Sequence, residues 1–311
     1  MANSIEQYLD ELKKELSGSD RATIQDALSD AEEYLRTSLD SYLETHPGVP
    51  VTEAMVSITA KYGTPAEIAT AYRDIEARTP PAFTRPAYKA IEPPAPAAVT
   101  PTPVDKRPFY VKFFSVFAEA RAWGSLFYLL FALATGIIYF TWVVTGLSLS
   151  AGLLVLIIGL PFFFLFLLSV RGVALVEGRL VEALIGVRMP RRQLFTRKDL
   201  GFWQKLKALL TQRQTWTALV YMILQMPLGI IYFTLIIVLV SVSLWGIAIP
   251  ILQYGFDLPV VQGYDVDYYL AAWVMPLTVI GGILLLTATM HLAKAVGKLH
   301  GLFAKAMLVR E

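Results

Sequence analysis

The phrase "GIIYFT" stands at residues 136–141 and again at residues 229–234, 93 positions later. Each copy lies in a long apolar run with a tryptophan, Trp123 or Trp216, thirteen residues ahead of its glycine. At the same offset Tyr128 meets Tyr221, and Ser148 and Ser150 meet Ser241 and Ser243. One unit is written twice, and its length decides the fold. Residues 122–146 contain no side chain that ionises near neutrality, and about 20 apolar residues cross a bilayer core. Residues 147–170 repeat the pattern after a short polar "TGLSLS", with Pro161 able to kink the second crossing. The unit is therefore a transmembrane hairpin, residues 122–170. Its second copy, residues 215–290, is expected to turn outside from near Ser241, to carry an enlarged outer loop at 241–269 and to return through 270–290. Four spans follow, with the two copies parallel because each crosses twice. Counting Leu244 to Gln253 as the start of a crossing instead gives five spans and moves the basic tail outside.

Composition agrees with a chain that is mostly in lipid: 311 residues, 55% hydrophobic, 17% charged, mean hydropathy +0.53. Charge is unevenly spread. Residues 1–78 hold 7 Lys/Arg against 15 Asp/Glu, net −8, whereas the whole chain is +2. Cysteine is absent, which removes disulfides, thiolate nucleophiles and thiolate metal ligands. The opening "MANSIEQYLDELKKEL" has no uninterrupted apolar core and does not read as a secretory signal. The connector 171–214 is basic, with Arg171, Arg188, Arg191, Arg192, Arg197 and Lys198 expected at the membrane surface. The outer segments hold Asp257, Asp265 and Asp267 with no Lys or Arg. The positive-inside rule then puts both termini and the connector in the cytoplasm of a multi-pass protein of the cytoplasmic membrane.

The acidic head reads as a small helical bundle. Ile5, Tyr8, Leu9, Leu12 and Leu16 share one stripe, and Ile24, Leu28, Ala31, Leu35, Leu39 and Leu43 another, with Ser19 or Asp20 as cap between them. Thr52 opens a third helix that Gly63 suits to end. "TPAE" from Thr64 to Glu67 is a capping box for a fourth helix, which presents Ile68, Tyr72 and Ile75. The fold class is all-α throughout.

The stretches "YLDELKKEL", "DALSDAEEYL" and "ITAKYGTPAEIATAYR" resemble the HAAS domain, a helical signalling module of bacterial membrane proteins, over about residues 4–76. The resemblance implies coupling to a helix-turn-helix regulator, typically of the PadR type. Nine prolines between residues 79 and 108 make an extended spacer. Residues 109–121 follow as an interfacial helix, with Tyr110, Phe113, Phe114 and Phe117 beside Lys112 and Arg121. From residue 115 to 305 the text, including "RGVALVEGRLVEALIGVRMP" and "TWTALVYMILQMPLGIIYF", resembles the sensor domain often found in front of bacterial histidine kinases. No phospho-accepting His box or ATP-binding domain follows the last span here, and residues 291–311 form an amphipathic cytoplasmic tail, so kinase activity is not carried over.

The side chains argue against chemistry. Gln225 is the one strongly polar group in the four expected spans and suits a helix–helix contact. Without intramembrane carboxylate or histidine, a proton relay, an ion-coupled carrier and an intramembrane protease are disfavoured. Gly136, Gly229 and the pair Gly281 and Gly282 suit close helix packing. His46, His291 and His300 are expected in surface or interfacial roles, and Glu177, Arg179 and Glu182 on an ion-paired surface. No enzyme activity, cofactor or metal is expected. The outer "GYDVDYY" brings Tyr264, Asp265, Asp267, Tyr268 and Tyr269 together, either as a sensing loop or as a tyrosine belt.

The function expected is a sensor and signal transducer whose head engages a cytoplasmic regulator through Glu32, Glu33, Tyr62, Thr64, Pro65 and Glu67. Its net −8 favours a basic protein partner and disfavours direct nucleic-acid contact. A membrane scaffold, or a transporter or channel subunit, are the alternatives, and a homo-oligomer is compatible with each.

Overall fold

The computed structural model describes residues 4–78, 108–155, 158–191, 202–262 and 267–309. The spacer 79–107, together with Arg192, Arg197, Lys198, Tyr264 and Asp265, lies outside the described residues. The chain divides into two compact units. The first comprises Met1–Pro86, Tyr139–Ile223 and Gly301–Glu311, the second Ala87–Ile138 and Leu224–His300.

Four helices build the head, within the first unit: α1 (Ile5–Glu15), α2 (Arg21–Thr45), α3 (Val51–Tyr62) and α4 (Pro65–Arg78). Ser4 caps α1 by accepting the Gln7 N–H, and Asp20 caps α2 by accepting that of Ala22 at 2.8 Å. Gly63 ends α3 at φ +113° and ψ 161°, a region essentially reserved for glycine. The buried stripe of α1, with Ala27, Ala31 and Leu35 of α2, Met55 and Ile58 of α3 and Ala69 of α4, is the core. Tyr8 is the exception in kind: its hydroxyl donates to the Gly63 carbonyl at 2.8 Å, so a buried polar atom is used to fix the α3–α4 turn. Burial, followed by the nearby Tyr62 and Glu67, pushes the Tyr8 pKa up.

The rest is α5 (Phe109–Phe114), a 3-10 turn at Ser115–Ala118, α6 (Ala120–Leu153), α7 (Gly159–Ile185), α8 (Phe202–Thr211), α9 (Arg213–Gly255) and α10 (Met275–Leu308). A two-residue hairpin pairs Val261–Gln262 with Asp267–Tyr268. Four of these segments, Ala120–Leu153, Gly159–Ile185, Arg213–Gly255 and Ala272–Leu308, are long and apolar enough to cross a membrane. The described residues are thus almost wholly helical, with four candidate spans among them.

Helix α9 does not end near Ser241, where the outer turn was expected, and runs on to Gly255 with Pro227 and Pro250 inside it. The serines explain this. Ser243 Oγ donates to the Leu239 carbonyl at 2.6 Å, and Ser150 Oγ to that of Gly146 at 2.6 Å. Each hydroxyl is satisfied four residues back along its own helix, so neither serine breaks it.

Within the second unit α6 and α9 approach at the repeated glycines. A Cβ added to Gly136 would stand 2.7 Å from the Gln225 carbonyl oxygen, and one added to Gly229 2.4 Å from that of Ala132. Helices α9 and α10 meet similarly: a Cβ on Gly282 would lie 2.6 Å from the Ser243 carbonyl oxygen. Gly281 differs from the expectation for the pair, having nothing within 4 Å. Gln225 is fully buried and donates from Nε2 to the Tyr128 hydroxyl at 3.3 Å, the helix–helix contact expected of it.

Candidate functional site

The N-terminal half of α2 buries a second face besides its core stripe. Ala22, Thr23, Gln25, Asp26 and Ser29 are each less than a tenth exposed although none belongs to the head's hydrophobic core. Part of this face meets the connector that follows α7, where Gln25 shares a cavity with Met189 and Pro190. Both carboxylate oxygens of Asp26 accept the Arg191 backbone N–H, at 2.8 and 3.0 Å. Asp20 makes an ion pair with Lys305 near the end of α10. The connector reaches this position because Gly186, in the left-handed conformation at φ 77°, ends α7 and turns the chain back. Glu182, buried on α7, then receives the Arg191 guanidinium at 3.3 Å and that of Arg179 at 3.4 Å. Two charge-assisted contacts therefore join the head to the connector and the tail, and a third joins the connector to α7, all within one unit and each stronger than a neutral hydrogen bond.

The basic residues expected at the membrane surface divide accordingly. Arg191 is half-buried in the head contact, Arg188 is buried, and Arg171 donates to Gln212 and, at 3.2 Å, to Thr215.

A buried carboxylate lies one turn before Glu182. Glu177 is 1% exposed; its Oε2 accepts the Tyr139 hydroxyl of α6 at 2.9 Å, and its Oε1 that of Tyr221 of α9 at 2.7 Å. Three helices are tied through one acceptor pair. In the second unit Tyr128 and Tyr232 contact the ring nitrogens of His300 at 2.7 and 3.3 Å. These are corrections to the surface roles expected for Glu177, Glu182 and His300. A polar residue one or two turns past an apolar run reads as solvated, and only the burying elements, distant in sequence, reverse that. His46, exposed, and His291, half-buried against Phe113, keep the expected roles.

The residues expected to face a partner are divided between α2, which carries Glu32 and Glu33, and the α3–α4 turn, which carries the rest. Tyr62 stacks on Tyr34 at 4.4 Å, Glu32 pairs with Arg36 at 2.9 Å, and Glu33 is exposed. Thr64 and Glu67 form the reciprocal box with Pro65 between them: the Glu67 carboxylate accepts the Thr64 N–H at 2.8 Å, and the Glu67 N–H reaches Thr64 Oγ1 at 3.4 Å. The Thr64 backbone bond first, then its side-chain bond, hold the exposed Glu67 carboxyl below the usual carboxylate range. A folded pKa below the unfolded one gives stability that is present above the unfolded value and lost as pH falls through the folded one. The melting difference between the protein and Glu67→Ala should therefore be largest near neutrality and vanish in strong acid. A difference unchanged by acid would show that the charge is idle.

Of the segment expected outside, Asp267, Tyr268 and Tyr269 are described and exposed, Tyr269 donating to the Asp257 carbonyl at 3.3 Å. Among the described residues no group of three His, Cys, Asp or Glu is placed to hold a metal.

The face of α2 that docks was missed in sequence. Its signal was available: from Ala22 to Ser29 that face is small and nearly uncharged within a helix otherwise dense in acid.

A head of four packed helices joined to four membrane-length helices defines a membrane protein with an appended signalling module. The family models agree: the Sensor family matches residues 128–308 and the HAAS family residues 7–71. The chain belongs to the Sensor family, with a HAAS domain at its N-terminus, and the pair points to a sensing and signalling role at a membrane. No curated protein and no solved structure matches it.

Proposed function

We propose that this chain is a non-enzymatic signal transducer of the bacterial cytoplasmic membrane, with both termini cytoplasmic, that reports a membrane or envelope condition to a helix-turn-helix regulator of the PadR type. The observation that carries the reading is the seat of the head. Asp26 on the Arg191 N–H and Asp20 with Lys305 tie α2 to segments that adjoin the ends of α7 and α10. A shift of those helices displaces the head's anchor points directly. Charge supports the orientation: residues 171–213 hold ten Lys/Arg against three Asp/Glu. Glu33, Thr64 and Glu67 are each exposed while α2 is docked, and the head's net −8 suits a basic protein.

The membrane portion is read as one unit used twice, and contacts support this at the sequence offset of 93. Trp123 Nε1 donates to the Phe117 carbonyl at 2.9 Å, and Trp216 Nε1 to that of Leu210 at 2.8 Å. Each tryptophan straps a short preceding helix to the start of its span.

The test uses the full chain in nanodiscs with the helix-turn-helix regulator encoded nearest its gene. Capture is expected, weakened by the charge reversals Glu33→Lys and Glu67→Lys. Absence of capture at micromolar concentrations, or capture indifferent to both reversals, removes the reading.

A further inference from the structure

A cavity of about 40 Å³ lies where the head meets the membrane helices. That is roughly three times the space one water needs. Its walls include Gln25 of α2, Arg171 and Gly178 of α7, Met189 of the connector, Gln214 of α9 and Leu308 of α10. Most of this lining is apolar, and one wall is a guanidinium that stays charged at any physiological pH.

Arg171 sits within a membrane-length helix, and among the described residues its hydrogen-bond partners, Gln212 and Thr215, are neutral. Among the described residues no carboxylate stands within ion-pair distance of it. An ionised group in such surroundings is costly unless paired. Nearby, Gln214 Oε1 is buried with no hydrogen-bond partner among the described residues.

The second unit contains the same arrangement with its counter-charge present. Gln212 lies 93 positions after Glu119, the offset of the repeated phrase. Lys294 lies 123 positions after Arg171, the offset that also aligns Glu177 and Gly178 with His300 and Gly301. There Lys294 pairs with Glu119. The same two positions thus hold a cation and its anion in one case, and a cation and a neutral amide in the other. The incomplete pair is the one beside the cavity.

We infer that the cavity beside Arg171 binds a small oxyanion, supplied as a free ion or as the phosphate of an anionic lipid headgroup, which completes the ion pair that Gln212 leaves open. The anionic oxygen sits on the Arg171 guanidinium, which is suited to planar, bidentate recognition. An O–H carried by bicarbonate or hydrogen phosphate answers Gln214 Oε1, which a halide does not. Because Gln25 belongs to the head, an occupied cavity bridges head and membrane helices. The site stands on its own geometry, whether or not the head engages a regulator.

The test is thermal unfolding of the full chain in nanodiscs at constant ionic strength, with phosphate, bicarbonate or chloride titrated against gluconate. In phosphatidylcholine discs a free-ion site gives a saturable rise in midpoint with phosphate or bicarbonate, larger than with chloride. A headgroup site gives the rise on changing to phosphatidylglycerol discs, with no further response to added phosphate. Gln212→Glu, which recreates the Glu119 pair, should raise the midpoint unaided and weaken the apparent affinity for the responding anion by roughly tenfold or more. Arg171→Gln should abolish the response; if it does not fold, Gln212→Glu decides. A protein indifferent to every oxyanion and to phosphatidylglycerol, or a Gln212→Glu variant that responds as the unaltered chain does, overturns the inference.

Discussion

Gly136→Leu should unfold the membrane portion at a markedly lower temperature, and Gly229→Leu should do the same, while Gly281→Leu leaves the midpoint unchanged. The difference rests on what each new side chain meets. At Gly136 and Gly229 even a Cβ would stand 2.7 and 2.4 Å from a backbone carbonyl oxygen on the facing helix, and helix backbone cannot rotate aside as a side chain can. Overpacking a tight contact costs about 1–3 kcal/mol, and parting α6 from α9 also disturbs the bond from Gln225 to Tyr128. Helices in lipid associate through such close packing rather than through burial from water, so no solvent term compensates. Gly281 has nothing within 4 Å and serves as the control for added bulk alone. Thermal unfolding of the full chain in micelles, followed by circular dichroism, reads all three. Equal effects at Gly136 and Gly281 would remove the close contact from the account.

Glu177→Leu should be the most damaging side-chain change in the first unit. It strands the hydroxyls of Tyr139 and Tyr221, which are 6% and 0% exposed. Each orphaned buried hydroxyl costs about 1–3 kcal/mol. Glu177→Gln keeps one acceptor oxygen and should fall between the two. The informative variant combines Glu177→Leu with Tyr139→Phe and Tyr221→Phe: with donors and acceptor both gone, much of the loss should return. If the triple variant is worse than Glu177→Leu alone, the hydroxyls were not the source of the cost. The same melting curves make the measurement.

How much of this was legible in sequence depends on how local each cause is. The capping box from Thr64 to Glu67, the glycine end of α3 and the buried stripe of α1 are set by residues within one or two turns, and the structure has them, although Gly63 takes φ +113° and ψ 161° in place of the left-handed helical conformation expected. The four membrane-length helices were legible for the same reason, since twenty apolar residues identify themselves. Helix ends were less so. Ser241 and Ser243 resemble turn residues, yet Ser243 bonds back into its own helix. Long-range contacts were least legible. Nothing near Asp26 announces that its carboxylate will hold an N–H 165 positions away, and Glu177 acquires its tyrosines from two other helices. Glycine itself, at 136 and 229, announced close helix packing. That Gln212 is a neutral amide had no visible consequence until Lys294 was seen beside Glu119.

The head can only relay the state of the membrane helices if it and the basic connector share the cytoplasmic face. The absence of cysteine makes this directly measurable. Single variants Asp10→Cys and Lys207→Cys, both at exposed positions, would be treated in intact cells with a membrane-impermeant maleimide. The account predicts that neither is labelled until the membrane is permeabilised, and that both are labelled afterwards. Labelling of either one in intact cells would contradict it.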